Sequence, residues 1–538
     1  MIYIGGKTEC SPRAHKVVRT VMVCVLALLM ILPAGCAKEP ALVENNETLS
    51  AAGEYPSANE SFPDVSGSPS REESSQSSQS SQTSQSPQSS QSSQSSQSSQ
   101  SSQSSQTSQS SQTSQSPQSS QSSQSSQSSQ TSQSSQSSQS SQLSQSSQSS
   151  QSSQSSQSSQ SDQPALNPYA PSGERRAVWF SYLDLSPMLQ GKSKQQFSTA
   201  IGAAFDSVVS AGMNTVIVQV RPFGDALYPS DYFPWSVYAS GTQGVSPGFD
   251  PLAVMVSAAR ARGLRIEAWI NPYRVRTADN KVSKLSEDNP AKKWYNAGSD
   301  AVVVTSNGIY YNPARSEAQQ LIVNGVREIV SNYDIDAIHF DDYFYPNPDN
   351  SFDSGAYSEY TASGGRLSLA DWRRENVNTL VKSVYSAIKS IKPRVEFGIS
   401  PQGNMSMNYN SQYIDVEKWV SGTGYVDYIM PQIYFGFNNS ACPYNETVAK
   451  WNRIITNKSI KLYIGLAPYK IGVSDSYAGS GKDEWLNNSD ILSRQVTSAR
   501  GYARYGGFAM FRYASLFSPA KAVEAQVKQE LANLKKVL

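Results

Sequence analysis

Residues 175 to 537 alternate between short apolar runs and longer segments with helical spacing of their apolar positions. The short runs are nearly continuous in Val, Ile, Ala and aromatic residues, as in parallel strands that are covered on both faces. The longer segments often begin at Ser, Asp or Asn and end before Gly, which are helix start and stop signals. Eight such strand–helix units predict an α/β fold, specifically a (β/α)8 TIM barrel, with an open doubly wound sheet as the alternative.

The pattern gives approximate bounds for each element. The predicted strands cover residues 177–185, 215–222, 265–273, 337–344, 395–403, 428–435, 461–469 and 507–516. The predicted helices cover residues 195–211, 250–262, 316–332, 369–391, 416–421, 444–456, 488–505 and 519–537. An inserted hairpin is predicted at residues 301–305 and 308–312, between the third strand and its helix.

The chain before the predicted TIM-barrel domain (174–538) has a different composition. Residues 1–36 are predicted to be a signal peptide, because a basic start precedes a short apolar run with a lipobox-like end at Cys36. Lipidation of Cys36 would anchor an exported protein to the outer face of the cytoplasmic membrane, from which it reaches into the cell wall; an uncleaved membrane anchor is the alternative. Residues 37–173 are predicted to be a disordered linker, since their long Ser-Ser-Gln tract offers almost no apolar side chains to bury.

Composition excludes several classes of protein. The formal net charge is +1 and the charges are scattered, so we expect no nucleic-acid partner. Cys10 and Cys24 lie in the predicted signal peptide, which leaves Cys36 and Cys442 and excludes a disulfide framework. His339 is the only histidine beyond the signal peptide, which excludes a histidine-rich zinc site. We therefore predict no metal and no cofactor, and we expect a monomer.

The ends of the predicted strands are rich in polar and aromatic residues. In a barrel these C-terminal ends meet at one face, where ligands bind. Trp and Tyr offer flat apolar surfaces, while charged and amide side chains bind hydroxyl groups, so a polysaccharide is the predicted substrate. The candidate substrate-binding residues are Arg221, Asp225, Trp269, Asn271, Arg274, His339, Tyr343, Gln432 and Tyr434.

Asp341 and Asp342 lie towards the C-terminal end of the fourth predicted strand and are the predicted catalytic residues. Side chains alternate between the two faces of a strand, which places His339 and Asp341 towards the barrel interior and Asp342 on the other face. Asp341 is therefore the favoured acid, and Asp342 is expected to orient a loop or a sugar hydroxyl. The same alternation places Gln219 and Arg221 together on the second strand.

Carboxylates beside sugar-binding side chains favour glycoside hydrolysis, in which a carboxylic acid protonates the leaving oxygen. The partner of Asp341 stays open: a substrate acetamido group could act as nucleophile, and the candidate carboxylates are Asp342, Asp225, Asp184 and Glu267. Glu267 and His339 could equally be structural residues of the barrel interior. Other hypotheses are a phosphoesterase with metal-bound aspartates, a Ser-His-Asp hydrolase, and a glycan-binding lipoprotein of the cell wall with weak or no catalysis.

Six motifs resemble the glycosyl-hydrolase-family-10-like (DUF187-type) bacterial lipoproteins. They are Arg176-Ala-Val-Trp-Phe180, Asn214-Thr-Val-Ile-Val-Gln-Val-Arg-Pro222, Glu267-Ala-Trp-Ile-Asn-Pro-Tyr-Arg274, Ile338-His-Phe-Asp-Asp-Tyr-Phe-Tyr-Pro346, Gly398-Ile-Ser-Pro401 and Met430-Pro-Gln-Ile-Tyr434. The resemblance spans residues 175–537 and implies a TIM-barrel glycosidase of the bacterial envelope that acts on peptidoglycan glycan strands stripped of their stem peptides. The fourth strand also loosely resembles the Asp-rich strand of chitinases that use substrate assistance. Tyr343 stands where their acidic glutamate would be, so that mechanism does not transfer directly.

Overall fold

The computed structural model describes residues 173–277, 279–346 and 348–538. The predicted signal peptide, the predicted lipidation site Cys36 and nearly all of the predicted linker therefore lie outside the described residues. Within the described part of the chain, no helix is both long enough and apolar enough to cross a membrane.

The strands build one barrel and one small side sheet. They are β1 (Arg175–Phe180), β2 (Thr215–Arg221), β3 (Arg265–Ile270), β4 (Arg274–Arg276), β5 (Val302–Thr305), β6 (Gly308–Tyr311), β7 (Ala337–Phe340), β8 (Glu396–Ile399), β9 (Tyr428–Ile429), β10 (Lys461–Leu466) and β11 (Tyr505–Met510). Eight parallel strands close in the order β1–β2–β3–β7–β8–β9–β10–β11, and β11 pairs with β1. This closed barrel confirms the predicted (β/α)8 fold.

The side sheet is an insertion between β3 and the helix that precedes β7. Its three antiparallel strands lie in the order β4–β6–β5. The hairpin of β5 and β6 was predicted from the sequence, and β4 adds a third strand directly after the end of β3.

Helices surround the barrel. The α-helices are Tyr182–Leu189, Lys194–Ser210, Val237–Ser240, Pro251–Arg260, Pro290–Asn296, Ser316–Asn332, Ser354–Ala362, Leu369–Ile391, Met405–Asn410, Val416–Ser421, Tyr444–Ile454, Glu484–Asn487, Ile491–Ala499, Tyr513–Phe517 and Glu524–Lys535. Short 3₁₀ turns are Val282–Lys284, Pro468–Lys470 and Gly479–Gly481. Side-chain caps mark several starts, as where Asp250 accepts the backbone N–H of Ala253 at 3.0 Å.

All eight predicted strands extend beyond the C-terminal ends of the observed ones, and three of them show what ends the strand. The first ends at Phe180 because Asp184 accepts the backbone N–H of Ser181 at 2.9 Å, an arrangement that begins the helix Tyr182–Leu189. The sixth consists of Tyr428–Ile429, followed by single bridges at Gln432. The eighth ends at Met510, shortly before another short helix. The polar residues that were predicted to end these strands therefore lie in loops and short helices that follow the strands.

The barrel interior is a separate small core. Trp179, Ile217, Trp269, Tyr428 and Tyr463 belong to this inner cluster, whereas the outer faces of the strands pack against the helices in the main core. Large side chains fill the interior, as is usual for eight-stranded barrels. The described barrel therefore has a packed core and not a pore.

Candidate active site

Asp341 and Asp342 both lie at the barrel mouth, directly after the end of β7. The carboxylate of Asp341 is bonded to Trp269 of β3, and that of Asp342 is bonded to Gln432, which follows β9. Strand alternation had placed Asp342 on the outer face, but β7 ends at Phe340 and the alternation ends with it. Both carboxylates thus lie just beyond the regular strand and have partners on different sides of β7, and their placement on opposite faces stays a prediction.

Asp341 is the more deeply buried of the two, with 2 % of its surface exposed. Its Oδ2 accepts Trp269 Nε1–H at 2.9 Å, and its Oδ1 accepts the backbone N–H of Tyr343 at 3.2 Å. Burial, followed by the negative charge of Asp342, raises the pKa of Asp341 to about 7. A carboxyl group with this pKa is partly protonated at neutral pH and can act as a general acid.

Asp342 is bonded to amide donors. Gln432 Nε2 donates to Asp342 Oδ1 at 2.9 Å and to the carbonyl oxygen of Ser400 at 2.9 Å, so both of its protons are used and its orientation is fixed. Gln412 Nε2 lies 3.5 Å from Asp342 Oδ2. Burial raises the pKa of Asp342, but the amide donors oppose this shift because they stabilise the anion. The two carboxylates thus differ in their donors, which are side-chain amides for Asp342 and an indole and a backbone N–H for Asp341.

Arg274 places a positive charge beside the carboxylates. Its guanidinium lies over the ring of Tyr343 at 4.2 Å and over that of Phe223 at 4.6 Å. The charge of Arg274 opposes the upward shift in the pKa of Asp341. Arg274 is thus positioned to stabilise Asp341 once it has lost its proton.

Aromatic rings form one wall of the site. The ring of Tyr434 lies 5.8 Å from those of Tyr469 and Phe511, and Phe511 in turn makes an edge contact with Trp269 at 6.4 Å. Burial raises the pKa of Tyr434 well above its usual value, so its hydroxyl is neutral at physiological pH. The wall offers the apolar surface and the hydroxyl groups that sugar rings bind.

His339 lies on β7 one layer below the mouth, where its side chain exposes no surface to a substrate, and its predicted contact with substrate stays a prediction. It is fully buried, and burial lowers its pKa to about 3, so the ring is neutral. Trp179 Nε1 donates to His339 Nε2 at 3.2 Å, which leaves the proton on Nδ1, 3.0 Å from the hydroxyl of Tyr428. Tyr428 then donates to Glu267 Oε2 at 2.7 Å.

Three further predicted substrate contacts are buried behind the mouth. A bulge in β2 places Arg221 opposite Ile270 instead of on the Gln219 face, and its guanidinium lies over the ring of Phe233 at 4.4 Å. Asp225 accepts Gln243 Nε2–H at 2.8 Å, and Asn271 accepts the backbone N–H of Arg274 at 3.1 Å. All three are at most 1 % exposed, so the alternation that grouped Arg221 with Gln219 is corrected and these residues support the site from behind.

Two candidate partners for Asp341 have structural roles. Asp184 accepts the backbone N–H groups of Ser181 and Ala514 and forms an ion pair with Arg512. Glu267 is fully buried, with Arg175 3.1 Å from its Oε1. With Asp225 also enclosed, Asp342 is the one of the four candidate carboxylates that lies at the mouth beside Asp341.

Three residues of the site were not among the predicted contacts. Tyr469 and Phe511 stand at predicted strand ends, so their positions carried a signal that could have been used. Gln412 lies beyond the helix Met405–Asn410 and reaches Asp342 through the fold of that loop, for which the sequence gives no periodic signal.

A closed (β/α)8 barrel with a carboxylate pair and an aromatic wall at its mouth defines the class of glycoside hydrolases. The chain belongs to the glycosyl hydrolase-like 10 family, whose model matches residues 174–480. It is 40% identical over 347 residues to "Glycosyl hydrolase YngK" of Bacillus subtilis (strain 168), over 61% of this chain and 67% of that protein. It is 35% identical over 357 residues to "Glycosyl hydrolase DigH" of Escherichia coli (strain K12), over 62% of this chain and 79% of that protein.

Solved structures with a similar fold include the glycoside hydrolase domain of PgaB (BpsB) from Bordetella bronchiseptica. The sequences are 13% identical, the TM-score is 0.45, and the match covers 66% of this chain and 99% of that chain. The family match agrees with the predicted resemblance, and the protein is a glycosidase with a polysaccharide as its substrate class.

Proposed function

We propose that this glycosidase is an exported lipoprotein that cleaves the N-acetylated glycan backbone of peptidoglycan, preferentially strands without stem peptides. The resemblance in sequence supports the choice of substrate, and the predicted signal peptide, Cys36 and linker support a location at the envelope. The observation that carries the proposed chemistry is the unequal environment of Asp341 and Asp342. Two neighbouring carboxyl groups whose environments separate their pKa values supply an acid and an anion.

In the proposed reaction, Asp341 is the general acid. Its proton passes to the leaving glycosidic oxygen as the bond from that oxygen to the anomeric carbon breaks, and the bond electrons remain on the oxygen. The anion of Asp342 stabilises the positive charge that develops on the sugar ring. Water then attacks the anomeric carbon, and Asp341 recovers a proton from it.

Two groups compete for the role of nucleophile in the first step. One is Asp342 itself, and the other is the carbonyl oxygen of the substrate's 2-acetamido group, with Asp342 accepting the amide N–H. A substrate without the acetamido group separates them, since it removes the internal nucleophile and leaves Asp342 in place. Loss of cleavage with this substrate supports substrate assistance, and retained cleavage supports Asp342.

The proposed substrate is tested with the full chain and peptidoglycan before and after enzymatic removal of its stem peptides, with new reducing ends as the measurement. We expect release from peptide-free strands, and little from intact peptidoglycan. Asp341→Asn should lower kcat by roughly 10²–10⁴-fold, the usual contribution of a general acid. Asp206→Asn is the matched control, because Asp206 is 63 % exposed and pairs only with Arg262 on the surface.

Near-normal release by Asp341→Asn would show that another residue is the acid. Binding of peptide-free strands by the wild-type chain without any cleavage would support a non-catalytic role on this substrate. Equal cleavage of both preparations would contradict the proposed preference for strands without stem peptides.

A further inference from the structure

Most exposed large hydrophobic side chains of the described residues lie on the connections that leave the C-terminal ends of the barrel strands. With the exception of Val209, the exposed large hydrophobic side chains of the described residues lie on connections that run from the C-terminal end of a strand to the next helix of the outer layer. They include the tyrosines Tyr232, Tyr295, Tyr409 and Tyr477. Apolar side chains gathered on one face indicate a contact surface, and here that face is the one that holds the active site.

Tyr477 is the most exposed of these side chains, at 60 %. It follows β10 on a loop that is tied to the loop after β9, and we call these two joined loops, residues 436–440 and 475–484, the ledge. Glu484 accepts the backbone N–H groups of Phe437 at 3.1 Å and Asn438 at 2.9 Å. Ser440 donates its backbone N–H to Ala478 at 3.0 Å.

Buried hydrogen bonds and close backbone contacts hold the two loops of the ledge together. Glu484 is only 7 % exposed although it is charged, and its two carboxylate oxygens are used to hold the opposite loop. Gly481 lies against the backbone of Asn438 and Gly479 against the side chain of Ser440, so closely that a Cβ atom at either position would collide. A rigid support fixes Tyr477 before any ligand arrives, which reduces the entropy lost on binding.

The ledge is connected to the aromatic wall of the active site. The backbone N–H of Tyr477 donates to Asp475 at 3.2 Å, and Asp475 pairs with Lys470. Lys470 follows Tyr469, whose ring makes an edge contact with Tyr434 in the site. Tyr477 and the wall residue Tyr469 therefore lie on the same connection after β10, which Lys470 and Asp475 hold together.

We propose that the ring of Tyr477 is an outer binding site for a sugar of the polysaccharide substrate, several residues away from the bond that is cleaved. This inference rests on the proposed function, because the occupant is a further part of the same N-acetylated glycan. The flat face of a tyrosine ring matches the apolar face of a sugar ring, and it does so without displacing any hydrogen bond of the ledge. The enzyme is thereby selective for long strands over short oligosaccharides.

The test compares kcat/KM of the full chain on peptide-free glycan strands and on a tetrasaccharide of the same composition. Tyr477→Ala should lower kcat/KM on long strands by roughly 3- to 10-fold, the loss of one aromatic contact, and leave the tetrasaccharide unchanged. Tyr477→Phe keeps the ring and should behave as wild type. Val209→Ala is the surface control, because Val209 is exposed but lies on the outer helix Lys194–Ser210.

An equal effect of Tyr477→Ala on both substrates, or no effect on either, would overturn the inference. A loss in Tyr477→Phe as large as in Tyr477→Ala would also overturn it, since the hydroxyl and not the ring would then be responsible. If the wild-type chain cleaves neither substrate, the proposed function fails and the outer site fails with it. If the wild type cleaves both while the variants differ only on long strands, both proposals are supported.

Discussion

Replacement of Trp269 by Phe should move the pH dependence of the enzyme without removing its activity. Trp269 Nε1–H donates to Asp341 Oδ2 at 2.9 Å, and it lowers the pKa of that carboxyl group by stabilising its anion. Phe keeps most of the ring but has no N–H. The anion of Asp341 therefore loses a buried hydrogen bond, and its pKa should rise above the present value of about 7.

The size of the shift follows from the difference between the two protonation states. A hydrogen bond to a buried charged group contributes roughly 1.5–3 kcal/mol, and the neutral acid keeps part of it because Oδ2 can still accept. A net difference of about 1 kcal/mol corresponds to roughly 0.7 pKa unit. Since the reaction needs protonated Asp341, activity falls as pH rises through this pKa, and the alkaline limb should move upward by that amount.

The assay is kcat/KM on soluble peptide-free glycan from about pH 4 to pH 9, because this parameter reports the pKa values of the free enzyme. Trp179→Phe is the matched control: Trp179 lies in the same inner cluster and also contacts Phe511, but its N–H is donated to His339. An alkaline limb that stays in place in Trp269→Phe, or moves equally in both variants, would refute the assignment of this limb to Asp341.

Three further variants test the surroundings of the site. Gln432→Leu removes the amide that donates to Asp342, so kcat measured from new reducing ends should fall by roughly 10- to 100-fold. An unchanged kcat would remove Asp342 from the mechanism. Tyr428→Phe leaves a buried oxygen of Glu267 without its hydrogen-bond donor, so the free energy of unfolding in urea should fall by roughly 1–3 kcal/mol. An unchanged free energy of unfolding would show that this hydrogen bond does not stabilise the fold. Burial raises the pKa of Glu530 from its usual 4.5 to about 7 in the folded chain, so its ionisation should cost stability as pH rises through that interval. Melting temperatures of Glu530→Gln should therefore fall less than those of wild type between pH 4.5 and 7, and parallel curves would exclude this effect.

The barrel was predictable because its signal is repeated eight times. Each strand is a buried apolar run, and such runs need no knowledge of distant residues to be recognised. The ends of the strands were less predictable. Asp184 ends β1 by binding Ser181 and also holds Ala514 from the far end of the chain, so its role depends on a contact across 330 positions.

The sequence placed several of the predicted site residues at strand ends, and the barrel brings some of them into contact. Trp269 donates to Asp341 from the neighbouring strand β3, and Gln432, which follows β9, donates to Asp342 across the end of β8. Arg221 did not follow the pattern, since a one-residue bulge in β2 turned it away from Gln219. The alternation of side chains between the two faces holds only along a regular strand. It therefore cannot predict a bulge or the residue at which the strand ends.

The neutral state of His339 bears on how the pH dependence of this enzyme should be interpreted. The donors run in one direction, from Trp179 through His339 and Tyr428 to Glu267, and a second proton on the ring would oppose the N–H of Trp179. With a pKa near 3, the ring stays neutral and keeps the same tautomer throughout the pH range in which Asp341 titrates. The layer beneath the site therefore stays fixed while the acid above it gains or loses its proton. We therefore do not expect a change in activity near neutral pH to arise from this histidine.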